Sequence, residues 1–162
     1  MAAARGVLEA DGADALTMRR LGDELGIKAP SIYKHFPDKA AVESALIEDA
    51  LLEIGTALHD AVERPGRRSP VASLLQRYRA ECVAQPNLYR LATSGPLDRG
   101  ALPDGLEDWA GEPFLLATGE AHKAQAMWAF AHGMVILEID DRFPDPSVLD
   151  RTWKAGAAAF GT

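Results

Sequence analysis

Near the start of the chain, hydroxyl and cationic side chains crowd together in a pattern suited to holding a polyanion. Thr17, Lys28, Ser31, Tyr33, Lys34, His35 and Lys39 all fall within the stretch DALTMRRLGDELGIKAPSIYKHFPDK, residues 14–39. Thr17 can offer a hydroxyl and neighbouring backbone N–H groups to a phosphate, and Lys39 can do the same from the other side. An outward tyrosine flanked by Lys34 and His35 suits a surface that meets a sugar-phosphate backbone better than one that meets only water. Lys28 stands near the start of a predicted helix, where the macrodipole disfavours a cation by roughly 0.3–1 kcal/mol. An anion docked there would be attracted by the lysine and the helix end together.

Positioning these groups requires two short helices joined by a tight turn. Thr17 is a suitable N-cap for a helix over Met18–Leu25, and Gly26 stops it. Pro30 fits the first turn of the next helix, where its missing N–H costs nothing, and that helix is predicted to reach His35. Leu16, Leu21, Leu25, Ile27, Ile32 and Phe36 are spaced to meet in one small core. With Ile32 and Phe36 turned inward, Ser31, Tyr33, Lys34 and His35 fall on other faces. This is a helix-turn-helix, whose second helix fits the major groove of DNA.

The 162 residues include 48% hydrophobic and 25% charged side chains, and no β-rich alternating runs, so an all-α fold is expected. Net charge is −7, which reads against a nucleic-acid partner until the chain is divided. Residues 1–39 carry six basic and six acidic groups, and the remaining 11 basic and 18 acidic groups put the whole excess on residues 40–162. An acidic body is repelled by DNA and helps orient a neutral head toward it. The lone Cys82 rules out an intrachain disulfide and fits a reducing cytoplasm. No signal peptide or bilayer-spanning run is recognisable, so no membrane partner is expected.

The predicted organisation is a head over residues 1–45 and a helical body over 46–162, with 64–70 as a polar loop between elements. The first helix, ending at Asp11–Gly12, reads as clipped at Met1. Residues 94–113, rich in glycine and proline, are expected to be broken, loop-rich structure. A helix from Glu120 to about Asp140, apolar on most sides, reads as a core helix. A last one runs from about Ser147 to Phe160. Tyr78, Cys82, Leu91, Trp109, Phe114 and Trp128 could line a mostly apolar pocket. His132 reads as a core histidine or, on the sharper reading, a ligand-contacting group there. Small residues such as Ala124 and Ala131 with Val135, and the stripe Leu149, Trp153, Ala157 and Phe160, offer a dimer interface that two copies could bury as a four-helix bundle. No nucleophile-base pair, phosphate loop or metal-ligand cluster points to an enzyme, a cofactor or a metal.

The run from Ala15-Leu16-Thr17 through Leu21, Gly26-Ile27, Ser31-Ile32-Tyr33, His35-Phe36 and Lys39 resembles the tetracycline-repressor (TetR) family of bacterial regulators. The resemblance implies that Lys28, Ala29, Pro30, Ser31, Tyr33, Lys34 and His35 face a double-stranded DNA operator while Thr17, Arg19 and Lys39 hold phosphates. It also implies a homodimer closed by the last two helices and a small-molecule effector in the body. Lys28 departs from the serine or threonine common at that position. Trp128 to Gly133, with Leu137-Glu138 and Arg142-Phe143-Pro144, is similar to the WHG-type C-terminal domain of one branch of these regulators. The expected function is a ligand-responsive repressor of a palindromic operator. The alternatives are an effector-independent regulator or an activator.

Overall fold

In the computed structural model, which describes residues 1–161 apart from the side chain of Ala29, the chain is helical and no strand occurs among the described residues. The helices are α1 (Ala2–Asp11), α2 (Met18–Leu25), α3 (Ala29–Ile32), α4 (Lys39–Glu63), α5 (Pro70–Ala84), α6 (Pro86–Thr93), α7 (Leu106–Thr118), α8 (Ala121–Ile139) and α9 (Leu149–Phe160). Two units emerge from their packing: Met1–Leu51 with Gln85–Leu106, and Leu52–Ala84 with Glu107–Thr162. This division differs from the expected single cut after residue 45 in two respects, the first being that the boundary falls inside α4, after Leu51. Residues 85–106, assigned to the body from the sequence, pack with the head.

The first unit closes around Ala4, Val7 and Leu8 of α1, Leu16, Met18, Leu21, Ile32, and Val42, Leu46 and Ala50 of α4. The spacings 4-7-8 and 42-46-50 each place one stripe of a helix inward. Leu88 of α6 completes the core, with Leu91 and Ala92 packed against it. Helix α6 is fastened to α1 by Glu9, whose carboxylate accepts the backbone N–H of Leu88 at 2.7 Å and of Asn87 at 3.3 Å. Asn87 Nδ2 donates in turn to the Glu9 carbonyl at 3.0 Å. Two orphan donors of the α6 N-terminus are thus satisfied by a side chain from another helix.

The second unit is built from the C-terminal half of α4 with α5, α7, α8 and α9. Leu74, Leu75 and Tyr78 of α5, Phe114 of α7, Met127, Ala131 and Val135 of α8, and Trp153 of α9 are buried. Glu120 caps α8, accepting the N–H groups of His122 and Lys123, each at 2.8 Å.

Two expectations for this region are corrected. Helix α7 runs straight through Gly111 and Pro113, where broken structure was expected. Pro113 is fully buried, and its packing outweighs the hydrogen bond that its missing N–H forfeits. Helix α8 is not a core helix on all sides, because Trp128 is 48% and Leu137 43% exposed.

Candidate nucleic-acid interface

Helix α2 starts where Thr17 accepts the Arg20 N–H at 3.1 Å. It ends at Gly26, whose φ of 65° and ψ of 27° lie in the left-handed region that glycine adopts without strain. The Ile27 N–H closes the turn onto the Gly22 carbonyl at 2.9 Å. Helix α3 is a single turn that ends at Ile32, short of the expected His35. Residues 33–35 continue as a hydrogen-bonded turn, with the His35 and Phe36 N–H groups both donating to the Ile32 carbonyl at 2.9 and 3.0 Å. Phe36 precedes Pro37, which disfavours helical backbone there, and Asp38 at once caps α4 by accepting the Ala41 N–H at 2.9 Å.

This geometry sorts the side chains sharply. Ile32 is buried and Phe36 packs on the same core, while Tyr33 next to Ile32 is 52% exposed. Lys28, Pro30, Ser31, Lys34 and His35 are exposed with it, as are Thr17 and Arg19 on α2. The expected contact through the Ala29 side chain lies outside the described residues. An exposed phenol among Lys28, Lys34 and His35 can stack on or hydrogen-bond to a polyanion's backbone while the cations neutralise it.

Four expectations change. Leu25 and Ile27 do not join the small core, being 52% and 45% exposed, because the turn at Gly26 carries both side chains outward. The macrodipole argument for Lys28 loses its force, since a one-turn α3 aligns too few peptide dipoles. Lys39 is not a free phosphate clamp: its Nζ donates to the Ala13 carbonyl at 2.8 Å and pairs with Glu43 at 3.3 Å. Arg20, a neighbour of Arg19, is likewise occupied by Asp11 at 3.3 Å and Glu24 at 3.4 Å. The sequence showed the acids but not that they would reach these cations.

The residues expected to line a pocket do not all come together. Tyr78 and Phe114 meet edge-on, with ring centroids 5.5 Å apart, and Cys82 is buried one turn along α5 from Tyr78. Burial pushes the Cys82 thiol well above its ordinary pKa, which leaves it an unreactive packing group. Leu91 belongs to the first unit's core, so it is removed from that set. Trp109 stacks on His59. Trp128, largely exposed, stacks on His132 with centroids 5.7 Å apart. An open groove of about 450 Å³ lies elsewhere in the second unit, between Ser69, Val71, Ala117, Lys154 and Ala158.

The expected dimer surface is also redrawn. Ala124, Ala131, Val135, Leu149 and Trp153 are covered within one chain, and Ala157 and Phe160 are half-buried. Phe130 takes up much of that stripe, lying across Gly156 and packing against Trp153 and Phe160. The large apolar side chains left exposed in the second unit, among the described residues, are Leu52, Leu115, Leu116, Trp128, Leu137 and Val148. No helix is long and apolar enough to cross a membrane, and no three His, Cys, Asp or Glu side chains gather as a metal site among the described residues.

Comparison with known proteins agrees with this geometry. Residues 1–46 match the family model described as bacterial regulatory proteins, tetR family. The tetracycline repressor protein class A from transposon 1721 of Escherichia coli is 43% identical over 51 residues, 32% of this chain and 24% of that protein. The matched segment therefore spans about a quarter of the curated relative. A protein of unknown function from Rhodococcus sp. RHA1 superposes with a TM-score of 0.80 at 22% identity, over 99% of this chain and 93% of its own. TetR from Acinetobacter baumannii AYE does so with a TM-score of 0.66 at 22% identity, over 98% and 91%. Beyond the head, the similarity is one of fold.

Proposed function

We propose that the chain, whose residues 1–46 match the family model described as bacterial regulatory proteins, tetR family, is a transcriptional repressor that binds a palindromic DNA operator as a homodimer. The observation that carries this reading is the alternation at the end of α3: Ile32 is 6% exposed and Tyr33 52%. A buried anchor holds the short helix to the head, and the next residue exposes an aromatic ring on a segment that also exposes Lys28 and Lys34. Base edges would be read by Tyr33 and Ser31, and phosphates held by Thr17, Arg19, Lys28, Lys34 and His35. Two such heads would engage successive major grooves about 34–36 Å apart.

The dimer would form through α8 and α9, where Trp128 and Leu137 stand exposed on one helix and the small Ala155 and Ala159 on the other. The body would hold a small, largely apolar effector, with Tyr78, Cys82 and Phe114 as its apolar wall and His132 as a further contact. In support, a variant of the Acinetobacter baumannii TetR, with a TM-score of 0.67 to this chain at 22% identity, was crystallised in complex with minocycline. An effector shifts the head only by the difference between its affinities for the two states.

The test is binding to duplexes selected from a random library. Tyr33→Ala combined with Lys34→Ala should abolish binding of the selected duplex while the dimer persists in ultracentrifugation. Unchanged affinity of that double variant would refute the assignment of α3 to DNA.

A further inference from the structure

Tyr78, Cys82 and Phe114, the proposed effector wall, are only 4%, 1% and 3% exposed. A small molecule reaches them only if part of the second unit moves. A weak stretch of backbone adjoins them at the start of α7. In a helix that begins at Leu106, Ala110, Gly111 and Glu112 are the first residues whose N–H groups find carbonyls four positions back, and at Pro113 the ladder is interrupted. Gly111 is moreover a poor helix former. Past the proline the helix is better tied: Thr118 Oγ1 donates to the Phe114 carbonyl at 2.8 Å, and the Gly119 N–H donates to the Leu115 carbonyl at 2.7 Å.

What holds this first stretch in place comes from the part of α4 that lies in the same unit. In an α-helix the oxygen of residue 109 accepts the N–H of residue 113, and Pro113 has none. His59 Nε2 stands 3.0 Å from the Trp109 carbonyl oxygen. A carbonyl can only accept, so the imidazole carries the hydrogen and supplies what the proline withholds. The same ring lies on the indole, with centroids 5.0 Å apart and planes 22° from parallel. Gly55, one turn earlier on α4, seats that indole: a Cβ there would stand 2.5 Å from Trp109 Cζ3. On the buried face of α7, Ala110 and Phe114 lie one turn apart, and Phe114 meets Tyr78. Cys82 follows Tyr78 by one turn of α5.

We propose that residues 107–112 are a gate over this wall. They unwind as one segment at Gly111 and Pro113, and His59 latches them shut. Their opening lifts Ala110 from beside Phe114 and admits an apolar molecule toward Tyr78 and Cys82. The admission step rests on the effector site of the proposed function, whereas the unwinding does not. His59 is a positioning residue and touches no ligand.

Two measurements on the full chain, without DNA or effector, test this. Amide exchange followed by NMR reads the unwinding. Ala110, Gly111 and Glu112 should share one level of protection, lower than that of residues 115–118. His59→Phe keeps a flat ring but loses the donor, and should speed exchange at 110–112 about tenfold while leaving 115–118 unchanged. His59→Gln returns an N–H donor and should restore the native rate. Pro113→Ala gives the Trp109 carbonyl a donor from its own helix and should slow exchange; it decides alone if His59→Phe does not fold. Alkylation of Cys82, the only cysteine, by N-ethylmaleimide reads the admission, because burial suppresses its thiolate until the wall is uncovered. Labelling should follow exchange at 110–112 across these variants. The gate is overturned by unchanged or uniformly faster exchange along α7 in His59→Phe, by failure of His59→Gln to restore it, or by no slowing in Pro113→Ala. Labelling that does not follow exchange overturns it too. Absence of duplex or effector binding would defeat the proposed function and leave both measurements where they are.

Discussion

Arg79 of α5 grips Glu138 of α8 along one full edge of its guanidinium, with Nε 2.8 Å from Oε2 and Nη2 2.7 Å from Oε1. The remaining Nη1 reaches Asp150 of α9 at 2.6 Å, and the group lies 5.8 Å from the centroid of the Trp153 ring, whose Nε1 donates to Glu138 at 3.2 Å. One side chain therefore ties three helices, and the planar fork is what lets it do so. Removing it strands Glu138, only 15% exposed in its side chain, without its cation. Arg79→Ala should lower the unfolding free energy by about 2 kcal/mol, within the range for hydrogen bonds to a charged group in a partly buried pair. Arg79→Lys should recover only part of it. Denaturant titration reads both, and a loss under about 0.5 kcal/mol, the range of an ordinary surface substitution, would show the network to be dispensable.

The two lysines at either end of the head separate a DNA contact from a structural one. Lys28 is exposed, while Lys39 is spent on the Ala13 carbonyl and Glu43. Lys28→Ala should leave thermal stability nearly unchanged and reduce the salt dependence of duplex binding by about one counterion. Lys39→Ala should do the reverse, lowering stability and leaving the salt slope alone. Equal slopes for Lys28→Ala and the native protein would remove Lys28 from the interface.

Glu9 should be felt at the far end of its own contacts. Glu9→Ala leaves the Asn87 and Leu88 N–H groups at the start of α6 without acceptors, a loss of about 2 kcal/mol for a charged hydrogen-bonded group. Hydrogen exchange over residues 86–93 should accelerate more than over α2. Unaltered protection of α6 in that variant would mean that water replaces the carboxylate at little cost.

Trp128 and Leu137 offer a dimer test that spares the fold. Both are exposed, so Trp128→Glu and Leu137→Glu should leave helicity and monomer core intact. Each should raise the dimer dissociation constant at least about tenfold, a cost of 1.4 kcal/mol or more at the interface. Sedimentation profiles identical to the native protein for both variants would place the interface elsewhere.

Stability should fall in acid in two steps of the same sign. Burial holds the His132 imidazole below its usual pKa, so the unfolded chain binds the proton more readily. Stability is then lost as pH falls through the unfolded value of about 6.5. Glu120, held down by the His122 and Lys123 N–H groups, and Asp150, held down by Arg79, titrate lower in the fold than in the unfolded chain. Their contribution is complete above about pH 4 and is lost below it as pH falls through the lowered folded values. Thermal melts of His132→Asn between pH 5 and 7 should be flatter than the native curve. Parallel curves would show that the imidazole is equally solvated in both states.

Sequence alone determined the features that depend on neighbours along the chain. Thr17, Gly26, Asp38 and Glu120 mark helix ends because capping and left-handed backbone are decided within a few residues, and the inward spacing of Leu16, Leu21 and Ile32 follows from helical periodicity. Only tertiary structure decided what each side chain meets across the fold. It turned Leu25 and Ile27 outward, spent Lys39 and Arg20 on nearby partners, took Leu91 into the head, and let α7 run through Pro113 because His59, 54 positions earlier in the numbering, completes its hydrogen bonding. Local rules describe a backbone's preferences, whereas burial and pairing depend on groups brought together from distant positions, and their energies exceed those of the propensities they override.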